Sequence, residues 1–272
     1  MVGKKFAKYI ITTLLLSLYL TVYPQSSSIT VDVNKKGAQI SPLQYGLFYE
    51  EIQHAGDGGL YAEMIENRSF EEFRNGVQFE NQLDQGIMPT MDDPKNIKGW
   101  KLTGSGKMSL DQSEPLNRNN PTSLKVESEG AVSITSAGFL PPSQKEGIGV
   151  GLACNKDEAL KLSFYARGGA EFTGELTTEL IGKDGSVLAM KTISGISKNW
   201  MRYKIELLPN NTDDNARLVL KYSGKGIFWL DMVSLFPKDT FKNRSNGLRK
   251  DIAEMLKELN PSFIRFPGGC FV

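Results

Sequence analysis

The sequence contains few of the residues that build disulfide frameworks or histidine-rich metal sites. Its 272 residues include only two cysteines, Cys154 and Cys270, and a single histidine, His54. One bridge between the two cysteines is allowed but not indicated, and a framework of bridges is excluded. A single histidine excludes a histidine-rich metal centre, and we expect no cofactor. Covalent and metal cross-links are therefore not what organises this chain.

The sequence also has no excess of charge of either sign and no long apolar run after its first residues. Lys4, Lys5 and Lys8 precede an apolar stretch at 9–22, which is shorter than the ~20 residues of a membrane-spanning helix. This pattern predicts a signal peptide at 1–27 and an exported protein, periplasmic or extracellular, with an uncleaved anchor as the alternative. Without that segment, 29 basic residues face 31 acidic ones. Such a balance gives no electrostatic attraction for nucleic acid or, after cleavage, for a membrane.

The remaining sequence divides into three zones with different patterns. In residues 28–80, the alternation at 29–33 predicts a strand, and YGLFYEEI at 45–52 predicts a compact apolar strand that ends on two carboxylates. A glycine loop then leads into residues 60–66, whose pattern predicts a helix.

Residues 81–238 carry many short alternating runs separated by turn signals such as Lys183-Asp184-Gly185. This texture predicts an antiparallel β-sandwich. The predicted strands are 123–127, 160–165, 175–181, 201–207, 216–222 and 226–236.

Residues 239–272 predict one helix at 246–260, which Asn260 and Pro261 should end, and a short strand at 263–266. This is half of a βα repeat, so we expect the chain to be the front part of a larger protein. If the strands at 45–51 and 263–266 are parallel neighbours, the sandwich is an insertion in the connection between them.

Candidate functional residues lie at the ends of these two strands. Glu50 and Glu51 end the first strand, and alternation lets only one of them face the mouth of a barrel. Arg265 interrupts an apolar run, and a buried guanidinium requires a carboxylate or a ligand. Gly268 and Gly269 permit a close approach of the backbone.

Together, YGLFYEEIQHAGDGGLYAEMIENRSFE (45–71) and NGLRKDIAEMLKELNPSFIRFPGGCFV (246–272) resemble the α-L-arabinofuranosidases of glycoside hydrolase family 51. The likeness is to members with an inserted carbohydrate-binding-like domain. It implies a mixed fold: the first two strands of a (β/α)8 TIM barrel, interrupted by an antiparallel jelly-roll sandwich. The implied substrates are arabinose-containing plant polysaccharides.

The resemblance also assigns roles to individual residues. It implies that Glu50 holds the arabinose and that Arg265 supports the catalytic nucleophile. Further substrate-binding positions by resemblance are Gly58, Gly59, Tyr61, Gly268, Gly269 and Cys270, whereas Asn67 and Arg68 are assigned to structure before substrate.

No catalytic carboxylate is expected within this chain. By resemblance, the acid/base and nucleophile glutamates of a retaining mechanism lie beyond Val272, so we predict that residues 1–272 alone are inactive. The alternatives are a secreted, non-catalytic glycan-binding remnant and another retaining barrel glycosidase of the same clan.

The middle zone resembles carbohydrate-binding modules of the family 4/9 type. In such sandwiches an aromatic residue either stacks on a sugar or belongs to the core. Asp231 is a weak candidate for a calcium ligand, because calcium takes 6–8 oxygen ligands and only one carboxylate is indicated. The aromatic candidates for sugar stacking are Trp100, Trp200, Trp229, Tyr165, Tyr203 and Tyr222.

Overall fold

The computed structural model describes residues 27–72, 96–141 and 148–267. The predicted signal peptide, except for its last residue, and the candidates Gly268, Gly269 and Cys270 therefore lie outside the described residues. The described chain is mostly β-sheet with few helices. Its elements are, in chain order, β1 (Leu47–Phe48), β2 (Asn96–Ile97), β3 (Trp100–Asp111), β4 (Ser123–Ser136), β5 (Leu152–Cys154), β6 (Leu160–Gly168), β7 (Glu175–Ile181), β8 (Val187–Ser194), β9 (Met201–Leu207), β10 (Asp213–Pro237), a 3-10 turn (Phe241–Asn243), α1 (Lys250–Glu258) and β11 (Ile264–Arg265).

The chain forms two compact units, residues 1–44 and 45–272. In the first unit, the described residues are exposed and contain a turn in which the Asp32 carboxylate accepts the Asn34 N–H at 3.0 Å. No strand is present at 29–33, so that prediction is wrong. The side chains of Ile29 and Val33 are 91% and 85% exposed, so the alternating apolar residues at 29–33 do not form a buried face.

In the second unit, β1 and β11 form a two-stranded parallel sheet. Leu47 pairs with Ile264 and Phe48 with Arg265, and the Tyr49 N–H donates to the Arg265 carbonyl at 2.9 Å. The two strands are therefore parallel neighbours, as the sequence suggested, and both end at the same edge of the sheet. All other strands lie between them in the sequence.

The other nine strands form an antiparallel sheet in the order β2-β3-β4-β10-β6-β9, with β5 and β7 also paired to β10 and β8 paired to β7. The long strand β10 holds this sheet together. Along 218–230 it pairs with β4, while β7 contacts its first half and β6 its second half. The two predicted strands at 216–222 and 226–236 are thus one continuous strand.

A single apolar core fills the space inside this sheet. It collects buried side chains from β2 to β10, including Trp100, Phe164, Tyr222 and Phe228. Phe172 stacks on Tyr222 with ring centres 4.5 Å apart. Because one cluster spans all these strands, the antiparallel part of the molecule has its own core and does not depend on β1 or β11 for burial.

The helix α1 begins at Lys250 and ends at Glu258, so it lies within the predicted range 246–260 but is shorter at both ends. Asn260 has a φ of 47°, in the left-handed region, and its N–H donates to the Lys257 carbonyl at 2.9 Å. This is the left-handed end that Asn accepts more readily than other non-glycine residues. Ala253 is the buried residue of the helix, while Met255 and Leu259 are exposed.

Residues 60–66 contain turns and the isolated bridges of Tyr61 but no helix, so the predicted helix there is wrong. Their backbone groups bond to other parts of the chain: the Ala62 N–H donates to Gly247 at 3.2 Å and the Met64 N–H to Leu235 at 3.0 Å. Main-chain donors used in this way cannot form the ladder of a helix. The segment instead connects β10 to the residues before α1.

Candidate functional site

Glu50 and Arg265 lie at the same edge of the parallel sheet. Phe48 is in register with Arg265, and Glu50 follows Phe48 by two residues. The Arg265 guanidinium lies 5.4 Å from the centre of the Phe48 ring and is exposed. The expected burial of Arg265 is therefore not observed. Its guanidinium instead makes a cation–π contact with Phe48 at the sheet edge.

Glu51 is directed elsewhere. One of its carboxylate oxygens accepts the N–H of Asp57 at 3.2 Å, which turns the side chain towards the loop that follows β1. Sequence alternation indicated that only one of Glu50 and Glu51 can face a site, and the loop contact of Glu51 leaves Glu50 as the candidate.

The glycine loop at 55–59 packs tightly on a second loop near Phe139. Gly58 has a φ of 83°, and a Cβ there would lie 2.6 Å from the Phe139 ring. His54 reaches the same loop, with Nε2 3.1 Å from the Leu140 carbonyl oxygen. A Cβ at Gly59 would collide with the carbonyl oxygens of His54 and Ala55. Gly58 and Gly59 are therefore required by packing, whatever else the loop does.

Tyr61 occupies the junction between this loop, β10 and the segment before α1. Its ring makes an edge contact with Phe236 at 5.2 Å, and the Arg68 guanidinium lies 5.8 Å from its centre. Its backbone forms isolated bridges with Asp57 and Leu248. A side chain with two such ring contacts on a backbone held by two bridges can shape a pocket wall.

Glu63, which sequence reasoning missed, is the buried centre of this junction. Its carboxylate accepts hydrogen bonds from the Leu235 N–H at 2.9 Å and the Ser234 hydroxyl at 2.5 Å, and it pairs with Arg68 at 3.0 Å. Burial raises its pKa, against the hydrogen bonds that favour the charged form. An acid in the apolar stretch 60–65 was a usable signal, because a charge in such a context needs partners.

Glu66 and Asn67 hold the next turn of the chain. The Glu66 carboxylate accepts the Leu140 N–H at 2.7 Å and pairs with Lys98 at 3.1 Å. The Asn67 amide donates to the carbonyls of Glu72 and Lys98 at 3.1 and 3.0 Å. These contacts are structural, in agreement with the assignment of Asn67 and Arg68 to structure.

Asp231 is fully buried and is held by an amide. Asn120 Nδ2 donates to both of its carboxylate oxygens, at 2.9 and 2.8 Å. Burial, with a smaller contribution from the charge of Glu71, raises the pKa of Asp231 to about 7, although the hydrogen bonds from Met232 and Asn120 act to lower it. Within residues 27–72, 96–141 and 148–267, no cluster of three or more His, Cys, Asp or Glu side chains could hold a metal ion.

The six aromatic candidates differ in their surroundings. Trp100 and Tyr222 are buried in the core, so their suggested role in sugar stacking is wrong. Arg167 lies over Trp229 at 3.6 Å and near Trp200 at 5.5 Å. Partial exposure remains at Trp200, Trp229, Tyr165 and Tyr203.

Over the described part of the chain, no helix has both the length and the apolar character needed to cross a membrane.

The chain is similar in sequence to curated α-L-arabinofuranosidases. The chain is 34% identical over 245 residues to an extracellular exo-α-L-arabinofuranosidase of Streptomyces chartreusis, covering 90% of this chain and 26% of that protein. It is 34% identical over 255 residues to α-L-arabinofuranosidase 1 of Arabidopsis thaliana, covering 88% and 33% respectively. No protein-family model matches it.

A solved structure agrees with these relatives. The arabinose-bound MgGH51 α-L-arabinofuranosidase superposes with a TM-score of 0.64 and 32% identity, over 83% of this chain and 34% of that one. Each of these matches is to a glycoside hydrolase. The chain is similar over most of its own length to α-L-arabinofuranosidases, one of them of family 51, and it spans about a quarter to a third of the length of the relatives it matches.

Proposed function

We propose that the chain is the N-terminal part of an exported, retaining α-L-arabinofuranosidase. The whole enzyme releases terminal arabinofuranosyl units from arabinan- or arabinoxylan-type polysaccharides. In this proposal the acid/base and nucleophile glutamates of the retaining pair come from sequence beyond Val272, and residues 1–272 alone do not hydrolyse glycosides.

The proposal assigns β1 and β11 to the first two strands of a (β/α)8 barrel. It treats 81–238 as an inserted jelly-roll sandwich resembling a carbohydrate-binding module, and 239–272 as the return to the barrel. The parallel register of Phe48 with Arg265 is the observation that carries it, because the active sites of such barrels lie at the carboxyl ends of parallel strands.

In that arrangement Glu50 accepts hydrogen bonds from arabinose hydroxyls, and Arg265 supports the nucleophile by charge. Gly58, Gly59 and Tyr61 shape the wall of the sugar pocket. By resemblance, Gly268, Gly269 and Cys270 are further substrate-binding positions in this proposal. The contacts of the Tyr61 ring with Phe236 and Arg68 support a wall role for it.

The first test compares hydrolysis of 4-nitrophenyl α-L-arabinofuranoside by two proteins: residues 1–272 and the product of the complete reading frame. Activity is expected only in the second. Hydrolysis by residues 1–272, or a complete protein that cleaves only β-xylosides or β-glucosides, would reject the proposal.

The second test replaces one carboxylate at a time in the complete protein. Glu50→Gln removes a charged hydrogen-bond acceptor from the sugar, so kcat/KM should fall roughly 10- to 100-fold. Glu51→Gln is the matched control, since its carboxylate faces the Asp57 N–H, and it should change kcat/KM by less than about threefold. Equal losses of kcat/KM in both variants would show that Glu50 does not bind the sugar.

A further inference from the structure

A groove of about 570 Å³ lies along β6 and β9, on a different part of the unit from the strand ends that carry Glu50 and Arg265. Ile205 and Phe236 supply part of its lining, and most of the other lining side chains are polar or charged. A volume of this size falls within the roughly 300–1,000 Å³ that is typical of small-ligand sites.

The charge in this groove is predominantly positive. Lys161, Arg202 and Lys204 all line it, and its one lining carboxylate, Glu206, is paired with Lys238 at 2.9 Å. Among the described residues, no ion pair involves any of those three cations. The groove therefore holds positive charge that the described chain does not neutralise.

Two of the cations, Arg202 and Lys204, lie two residues apart on β9 and therefore on the same face of the sheet. Arg202 lies opposite Tyr165, and Lys204 lies opposite Ser163. The Arg202 guanidinium donates to the Ser163 hydroxyl at 3.3 Å and lies 5.9 Å from the Tyr165 ring. A guanidinium oriented in this way keeps N–H groups available for two parallel bonds to a carboxylate.

The remaining polar lining suits hydroxyl groups. Ser245 and Asn246 border the groove from the segment before α1, and hydroxyl and amide side chains both donate and accept hydrogen bonds. The groove thus combines unpaired cations, neutral hydrogen-bonding groups and a limited apolar surface.

We propose that this groove binds an acidic saccharide, with a uronate carboxylate held by Arg202 and Lys204 and sugar hydroxyls held by Ser245 and Asn246. The site is additional to the arabinose site and does not rest on it. It would attach the protein to polysaccharides that carry carboxylate groups, and neutral arabinan would leave its cations without a partner.

The test is isothermal titration of the 272-residue chain with tri-galacturonate at low and at physiological salt. Binding should weaken as salt rises, because the partners are exposed charges. Neutral arabinotriose should bind at least tenfold more weakly in the same groove.

Arg202→Gln and Lys204→Gln should each raise the Kd for tri-galacturonate roughly fivefold, because each removes one charged partner. Lys191→Gln makes the same change in charge on the exposed face of β8 and should leave the Kd unchanged. All three side chains are exposed, so a thermal melt should show the same folded protein.

Three results would overturn the proposal. One is no binding of tri-galacturonate at millimolar concentration. Another is equal binding of arabinotriose. The third is complete displacement by an equal concentration of sodium sulfate, which would make the groove a general anion site with no part for the sugar.

Discussion

At the scale of single residues, Glu63 determines how the segment after the glycine loop attaches to the antiparallel sheet. Its buried carboxylate accepts from Ser234 and Leu235 of β10 and pairs with Arg68. Glu63→Ala would leave buried donors and a cation without their partner. We expect it to lower the free energy of unfolding by about 3–5 kcal/mol, measured by urea denaturation.

The matched control for this change is Glu206→Ala. That carboxylate also pairs with a cation, Lys238, but both side chains are about half exposed. Exposed pairs contribute below about 1 kcal/mol. If both variants lost the same stability, the assignment of Glu63 as a buried anchor would be wrong.

Asp231 makes stability depend on pH in the opposite sense to most carboxylates. Its pKa is raised to about 7 in the folded chain, against about 3.9 for an unperturbed aspartate. Between these values the folded state keeps a proton that the unfolded state releases. The free energy of unfolding contributed by this group therefore falls as pH rises from about 4 to about 7 and levels off above.

Asp231→Asn removes this titration, so the free energy of unfolding of the wild type minus that of the variant should fall as pH rises over that range, by an amount on the order of a few kcal/mol. Guanidinium unfolding at several pH values measures it. Asp184→Asn is the control. Hydrogen bonds from Ser186 lower the pKa of Asp184, so its difference should be flat from about pH 5 to 7. A flat difference for Asp231→Asn as well would contradict the raised pKa.

At the scale of elements, alternation predicted some strands with correct bounds, but it missed β3 and β8 and predicted only the first part of β4. The bounds of β7 and β9 match the predicted 175–181 and 201–207. The turn between β7 and β8 forms as its Asp-Gly signal indicated, with the Gly182 N–H bonded to the Ser186 carbonyl at 2.8 Å. Local pattern and tertiary burial agree at these positions, so the local pattern was sufficient.

Prediction failed where partners distant in sequence decide the conformation. Residues 60–66 have an apolar spacing that suits a helix, but their N–H groups form hydrogen bonds with carbonyl groups of β10 and Gly247. Residues 216–222 and 226–236 were separated at glycines, yet Gly226, with a φ of 139°, lies within β10. Neither a distant hydrogen-bond partner nor a strand that continues through a glycine is visible in a local window.

The sequence predicted the backbone order at the candidate site but not the surroundings of its side chains. Its strand-end location and the parallel pairing of β1 with β11 followed from the motif positions, and both concern backbone order. The exposure of Arg265 and the anchor role of Glu63 did not follow, since each depends on which side chains surround the residue. Buried charge is a tertiary property, and the sequence shows only that a charge interrupts an apolar run.

At the scale of the whole molecule, burial is unevenly distributed over residues 45–267. The nine-stranded sheet encloses one continuous core. By contrast, Phe48 and Ile264 in the parallel pair are 55% and 59% exposed, and Met255 in α1 is 67% exposed. The free energy of folding in this chain should therefore come mainly from the antiparallel sheet, because apolar burial is its dominant favourable term.

This distribution predicts a large difference in amide hydrogen exchange within the same chain. A two-stranded sheet with exposed side chains is marginally stable in water. The amides of Leu47 and Tyr49 donate to the carbonyls of Phe263 and Arg265. We expect these two amides to exchange through local opening within minutes. Amides of β10 along 218–230, paired on the β4 edge over their full length, should exchange only through global unfolding. Mass spectrometry of 1–272 measures both. If the complete protein forms the proposed barrel, its further strands should slow exchange at Leu47 and Tyr49 in that protein. Protection of 262–267 equal to that of β10 in the 272-residue chain would mean that the parallel pair is stable without further strands, and would remove this physical argument for an incomplete barrel.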